Sequence, residues 1–183
     1  KRITIDSATL VNKGFEVMET SFLFGLGLEK IGVLIHPQSI VHAFLESNDS
    51  RIFASMFSPD MRIPINYGLS YPYVGQCQKR LNLGNLKEIN FSNPDYSKFP
   101  CLRLSLDVAR IGKNLPSVFV AADEVAVDLF LRGAIKFNDI YRILDKVITS
   151  CKPQNISSVE DVDYWLGWAR NKALAIFKIK DKK

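Results

Sequence analysis

Residues 7–25 read SATLVNKGFEVMETSFLFG. Apolar side chains at Leu10, Phe15, Met18, Phe22 and Leu23 recur at helical spacing and give one broad buried side. Asp6 and Ser7 offer cap oxygens for the start, and Gly25 or Gly27 offers the stop. The four residues before them, RITI, alternate and are β-branched, so they predict a strand end.

The polar side of this helix is unusual in its chemistry. Asn12 and Glu16 are four apart and lie about 40° from each other around the axis; Lys13 and Glu16, three apart, lie about 60° away on the other side. One face therefore presents an amide, an ammonium and a carboxylate, with Ser7 near the helix start. The hydroxyl, the amide, the ammonium and helix-start N–H groups can all donate to phosphate or other substrate oxygens. Glu16 is a hard oxygen ligand suited to magnesium or manganese. The plainer reading is a surface pair worth a few tenths of a kcal/mol and a cap worth about 1 kcal/mol. Spacing alone leaves both open, and one carboxylate does not make a metal site.

Outward from this stretch, GVLIH reads as a short buried strand. SIVHAFLES and RIFASMF alternate around an NDS turn and predict a hairpin. SPDMRIPINYGLSYP predicts a short helix with Asp60 as candidate cap and Pro64 near its first turn. Residues 75–90 are rich in Gly, Gln, Lys and Asn and read as a linker with one short strand, LKEINF, at residues 86–91. After Pro94 the pattern is helical four times over. The first two of these helices close at Gly112 and Gly133; the third is capped by Asn138 or Asp139, and the fourth by Ser157 or Ser158 with Glu160 placed for a capping box. The expected fold is α/β (α+β) with a small mixed sheet, followed by a C-terminal four-helix bundle. The expected division is 1–74, a linker at 75–96, and a helical domain at 97–183.

With 47% hydrophobic and 23% charged residues, the 183-residue chain has the composition of a folded protein. The net charge of +5 is partly the tail KIKDKK, and no arginine stripe or basic-aromatic run points to nucleic acid. Three cysteines, Cys77, Cys101 and Cys151, without short spacing argue against a disulfide framework or zinc ribbon. No apolar run approaches the roughly 18 residues that span a membrane, and the N-terminus carries no signal-peptide pattern. An initial Lys followed at once by strand-like residues suggests a piece of a longer chain.

DSATLVNKGFEVMET, IHPQSIVHAF, PDMRIPI, FPCLRL and the AADEVAV segment, in this order, resemble the 1-deoxy-D-xylulose-5-phosphate reductoisomerase family. The resemblance spans essentially the whole chain but only the later part of the family's architecture: the central catalytic domain and the C-terminal bundle. It implies an NADPH- and divalent-metal-dependent enzyme, using manganese, magnesium or cobalt. Such an enzyme makes methylerythritol phosphate in non-mevalonate isoprenoid synthesis, as a homodimer in a bacterial cytoplasm or a plastid. No Gly-rich dinucleotide fingerprint is present, and neither is the family's upstream Asp-Ser-Glu segment, so this chain alone is expected to be incomplete as an enzyme. Carried over by residue, Ser7, Asn12 and Lys13 match substrate phosphate contacts, Glu16 matches a metal ligand, Lys13 and Glu16 are the catalytic candidates, and Met61 is a substrate contact.

The chain departs from the family at Asp123, where AADE replaces the usual AANE, at the NDS turn, and at Phe15 in place of Leu. His36 and His42 stay open between structural residues and acid–base groups, and neither is assigned to metal. Trp165 and Trp168, three apart, read as core or interface. A rival reading from another class is a non-enzymatic dimerisation module.

Overall fold

The computed structural model describes residues 1–73, 75 and 80–180, the side chains of 179 and 180 excepted. Cys77, part of the expected linker and the end of the basic tail lie outside the described residues. In chain order the elements are α1 (Arg2–Thr9), α2 (Val11–Phe24), β1 (Val41–Glu46), β2 (Ile52–Met56), α3 (Arg62–Ser70), α4 (Pro100–Ile111), α5 (Leu115–Leu131), α6 (Phe137–Ser150) and α7 (Val159–Lys180). The described residues are thus mostly helical, with one small sheet among them. Contacts group it into two units: Lys1–Val33 with Asp95–Lys183, and Leu34–Pro94. This grouping differs from the sequential division expected at 74 and 97, because α1 and α2 pack against α4 and α5.

In the larger unit α5 is the central element. Val118, Phe119, Ala121, Ala122, Asp123, Ala126 and Val127 are all buried, so nearly every side of this helix meets protein. α6 is amphipathic in the ordinary way, burying Ile140, Ile143, Leu144, Val147 and Ile148. Trp165 and Trp168 of α7 meet edge-on at 5.7 Å, and Trp165 joins the core. The stops are as the glycines predict: Gly112 and Gly133 take φ of 64° and 73°, where a side chain is disfavoured. At the start of α6 the Asp139 carboxylate reaches back to accept from the Lys136 N–H at 3.0 Å. At α7 the capping box uses Asp161, not the expected Glu160. Ser158 Oγ accepts from the Asp161 N–H at 3.2 Å, and the Asp161 carboxylate accepts from the Ser157 and Ser158 N–H groups.

The N-terminal end corrects the sequence reading. RITI is not a strand; it opens α1, because no strand partner stands beside it among the described residues. An intrahelical ion pair, Arg2 to Asp6 at 3.6 Å, suits the helical state. The expected single helix is broken at Leu10, which sits in the left-handed region at φ 59°. Asp6 and Ser7 therefore lie inside α1 and cap nothing. α2 ends at Gly25, also left-handed at φ 62°, as expected. Of its predicted buried side, Met18 is in the core and Phe15 packs edge-on against Phe119 at 5.7 Å, whereas Phe22 and Leu23 are exposed.

In the smaller unit β1 and β2 pair antiparallel, with Phe44 opposite Ala54 and an irregular register between Val41 and Ala43. The Ser47 N–H donates to the Arg51 carbonyl at 2.9 Å across the predicted turn. The sheet is this antiparallel pair rather than a mixed one. GVLIH contributes only a single bridge, Ile35 to Ser92, and LKEINF forms no strand. Asp60 stabilises the start of α3, accepting from the Arg62 N–H at 3.0 Å and pairing with its guanidinium.

Candidate active site

The break at Leu10 decides where the candidate site lies. It moves a helix start from Ser7 to Val11, so Asn12 and Lys13 fall in the first turn of α2. Main-chain N–H groups of a first turn lack intrahelical acceptors, and the helix dipole favours negative charge there. No acidic residue occupies this turn. Lys13 is thus a cation at the electropositive end of a helix, a placement that works against helix stability. It suits an anion held from outside.

The three predicted side chains do converge. Glu16 Oε1 accepts from Asn12 Nδ2 at 2.7 Å and from Lys13 Nζ at 2.8 Å, and Glu16 Oε2 also lies 2.8 Å from Lys13 Nζ. Lys13 and Glu16 side chains are 44% and 47% exposed, so the cluster is open to a ligand and the ion pair itself contributes little to stability. Behind it, Val11, Gly14, Val17 and Met18 are buried and fix the face in place. At Gly14 α2 lies directly against α4: a Cβ there would overlap the hydroxyl and Cβ of Ser105.

Ser7 does not join this cluster through a hydrogen bond. Its hydroxyl donates to the Ile3 carbonyl at 2.7 Å within α1 and faces solvent. Met61 belongs to the other unit, where it is 67% exposed just before α3. Glu19 is exposed on α2.

Glu16 can serve as one oxygen ligand of a divalent ion, but the described residues do not complete a metal site. Among them no three His, Cys, Asp or Glu side chains form a group able to hold a metal. The histidines have structural partners. His36 Nδ1 lies 2.8 Å from the Asn90 carbonyl and its ring stacks on Phe91 at 4.7 Å; His42 stacks on Phe57 at 3.7 Å. An open groove of about 530 Å³ lined by Phe22, Lys113, Pro116, Ser117, Asn155 and Ile156 includes none of the predicted site residues.

A second cluster escaped the sequence reading. Arg2 reaches Asp6, Asp123 and Glu124, and Arg170 reaches Glu124 at 2.9 Å. Only Asp123 carried a signal, as a departure from the AANE pattern.

The chain matches the family described as "DXP reductoisomerase C-terminal domain" over residues 56–172, and "1-deoxy-D-xylulose 5-phosphate reductoisomerase C-terminal domain" over residues 1–24. A protein of Thermodesulfovibrio yellowstonii named 1-deoxy-D-xylulose 5-phosphate reductoisomerase is 46% identical over 94% of this chain and 46% of its own length. One of the same name from Sulfurihydrogenibium is 42% identical over 97% of this chain and 48% of its own. The Zymomonas mobilis reductoisomerase solved with NADPH superposes with a TM-score of 0.90 at 40% identity, over 97% of this chain and 47% of that one. A reductoisomerase solved with NADPH, fosmidomycin and magnesium gives a TM-score of 0.91 at 33% identity, over 99% of this chain and 47% of that one. The chain spans about half the length of the curated relatives it matches. No helix among the described residues is long and apolar enough to cross a membrane.

Proposed function

The chain belongs to the 1-deoxy-D-xylulose 5-phosphate reductoisomerase family, and from that premise we propose that it supplies one wall of an active site turning that substrate into 2-C-methyl-D-erythritol 4-phosphate. The observation that carries this reading is the Asn12–Lys13–Glu16 cluster in the first turns of α2. Lys13 and the α2 N-terminus neutralise the substrate phosphate, and the Asn12 amide fixes its orientation. Glu16 offers one carboxylate to a divalent ion, which when bound supplies Lewis-acid polarisation of the substrate carbonyl. Before substrate arrives, Lys13 and Asn12 hold Glu16 in place. Releasing them to phosphate frees the carboxylate as a ligand. Ser7 must turn away from the Ile3 carbonyl to reach a phosphate, and Met61 is proposed as a substrate contact on the resemblance alone. Residues 1–74 are proposed to belong to the catalytic domain. The NADPH site and the remaining metal ligands are assigned to no residue of this chain.

The test uses this chain joined to the N-terminal remainder of its Thermodesulfovibrio yellowstonii relative. Lys13→Ala in that hybrid should weaken fosmidomycin binding and raise the substrate KM about 10- to 100-fold, the worth of one charge-assisted hydrogen bond to phosphate. An unchanged KM and inhibitor affinity would leave Lys13 as a surface partner of Glu16.

A further inference from the structure

The proposed reaction makes no use of the cluster that joins α1 to α5. The Asp123 side chain is fully buried on α5, and that of Asp6 on α1 is 10% exposed. The two carboxyl groups share one guanidinium, that of Arg2, and the charge of Asp6 acts on Asp123. Oδ1 of each is buried, and neither meets a hydrogen-bond partner. Arg2 approaches both, its Nε 3.6 Å from Asp6 Oδ2 and its Nη2 3.4 Å from Asp123 Oδ2. It is shared with Glu124, which lies 3.2 Å from its Nη1 and also pairs with Arg170 of α7. From α4 the facing group is Cys101, whose thiol burial and the Asp123 charge push up to about 12, so it stays neutral. α6 buries Ile140, Leu144 and Val147, with its Asp139 paired to Arg142 at 3.2 Å. Counted together, three carboxyl groups face two guanidinium groups, and two of the three are buried. One proton balances the set and gives the buried pair a donor of its own.

We propose that Asp6 and Asp123 form a proton-sharing latch, in which one proton between two buried carboxyl groups ties α1 to the central helix and whose loss as pH rises loosens that tie. Burial pushes Asp123 up to about 7, the Asp6 charge adds to the shift, and Arg2 opposes it. Burial also raises Asp6, against the Arg2 charge and the interaction with Asp123. The native state therefore holds a proton that the unfolded chain releases near 3.8, the ordinary aspartate value. Stability is fully present below that value, falls with rising pH through about 7, and is level above. The latch acts on α1, which ends at Thr9 before the left-handed Leu10. It is a matter of helix packing and stands apart from the proposed reaction.

Thermal unfolding of the full 183-residue chain from about pH 4.5 to pH 8.5 tests this. Asp123→Asn and Asp6→Asn each install an amide that donates at every pH. Either variant should match the wild type at the acid end and exceed its Tm by at least about 3 °C at the alkaline end. Carboxyl carbon shifts in the wild type should show one group of the pair still titrating near neutrality. Both carboxyl groups titrating near the ordinary aspartate value, or variants that track the wild type at every pH, would overturn the latch. If a variant fails to fold, the wild-type titration decides alone.

Discussion

Glu16→Gln should cut metal-dependent NADPH oxidation by the hybrid enzyme at least about a hundred-fold, since loss of even a supporting group behind a metal ligand costs about 10- to 100-fold. Glutamine keeps the size and the acceptor oxygen that Lys13 and Asn12 both use, so the α2 face stays assembled. What it removes is the charge, and magnesium or manganese selects charged oxygen ligands. Because the pair with Lys13 is half exposed, its loss should change stability by less than about 1 kcal/mol. Activity should therefore fall without a matching change in Tm. The metal concentration for half-maximal rate should rise in parallel. Near-normal turnover in the variant would remove Glu16 from the metal and leave it as a helix-surface acid.

Gly14→Ala is expected to destabilise the chain by about 1–3 kcal/mol, the usual cost of overpacking a close contact. On an open helix surface the same change would stabilise by up to about 1 kcal/mol, because alanine is the better helix former. Here the sign reverses. The added methyl overlaps both Oγ and Cβ of Ser105, and rotating the hydroxyl away does not move the Cβ. Ser105 is fully buried, so α4 itself must shift. Combining Gly14→Ala with Ser105→Gly removes the overlap, and the double variant should be more stable than Gly14→Ala alone in urea unfolding. A single variant as stable as the wild type would show that the two helices are less tightly joined than the structure has them. The glycine between Lys13 and Phe15 thus has a packing reason: it lets the helix carrying the polar face lie flat on α4.

The parts legible in sequence were those set by periodicity and punctuation. The helices from Pro100 onward follow their apolar spacing, and Gly112 and Gly133 end them through positive φ. The hairpin follows alternation around NDS. The polar face of α2 was also legible, because residues three and four apart on a helix meet wherever the helix begins. The N-terminal end was not. RITI has β-branched character, yet strand character needs a neighbouring strand, and α1 forms instead. The left-handed turn at Leu10 has no glycine or asparagine to announce it, so the helix start beside Lys13 was invisible. The buried ion cluster was hidden for a different reason: Arg2 and Asp123 are far apart in sequence and meet only through packing.

The measurement that tests the central claim most directly is NADPH oxidation by the hybrid, followed by absorbance, with 1-deoxy-D-xylulose 5-phosphate and manganese. The N-terminal remainder alone serves as the control. The account predicts turnover only when this chain is present, lost on Glu16→Gln. A folded hybrid that binds NADPH yet turns over no substrate would contradict it, leaving the chain a helical assembly module with a reductoisomerase's fold.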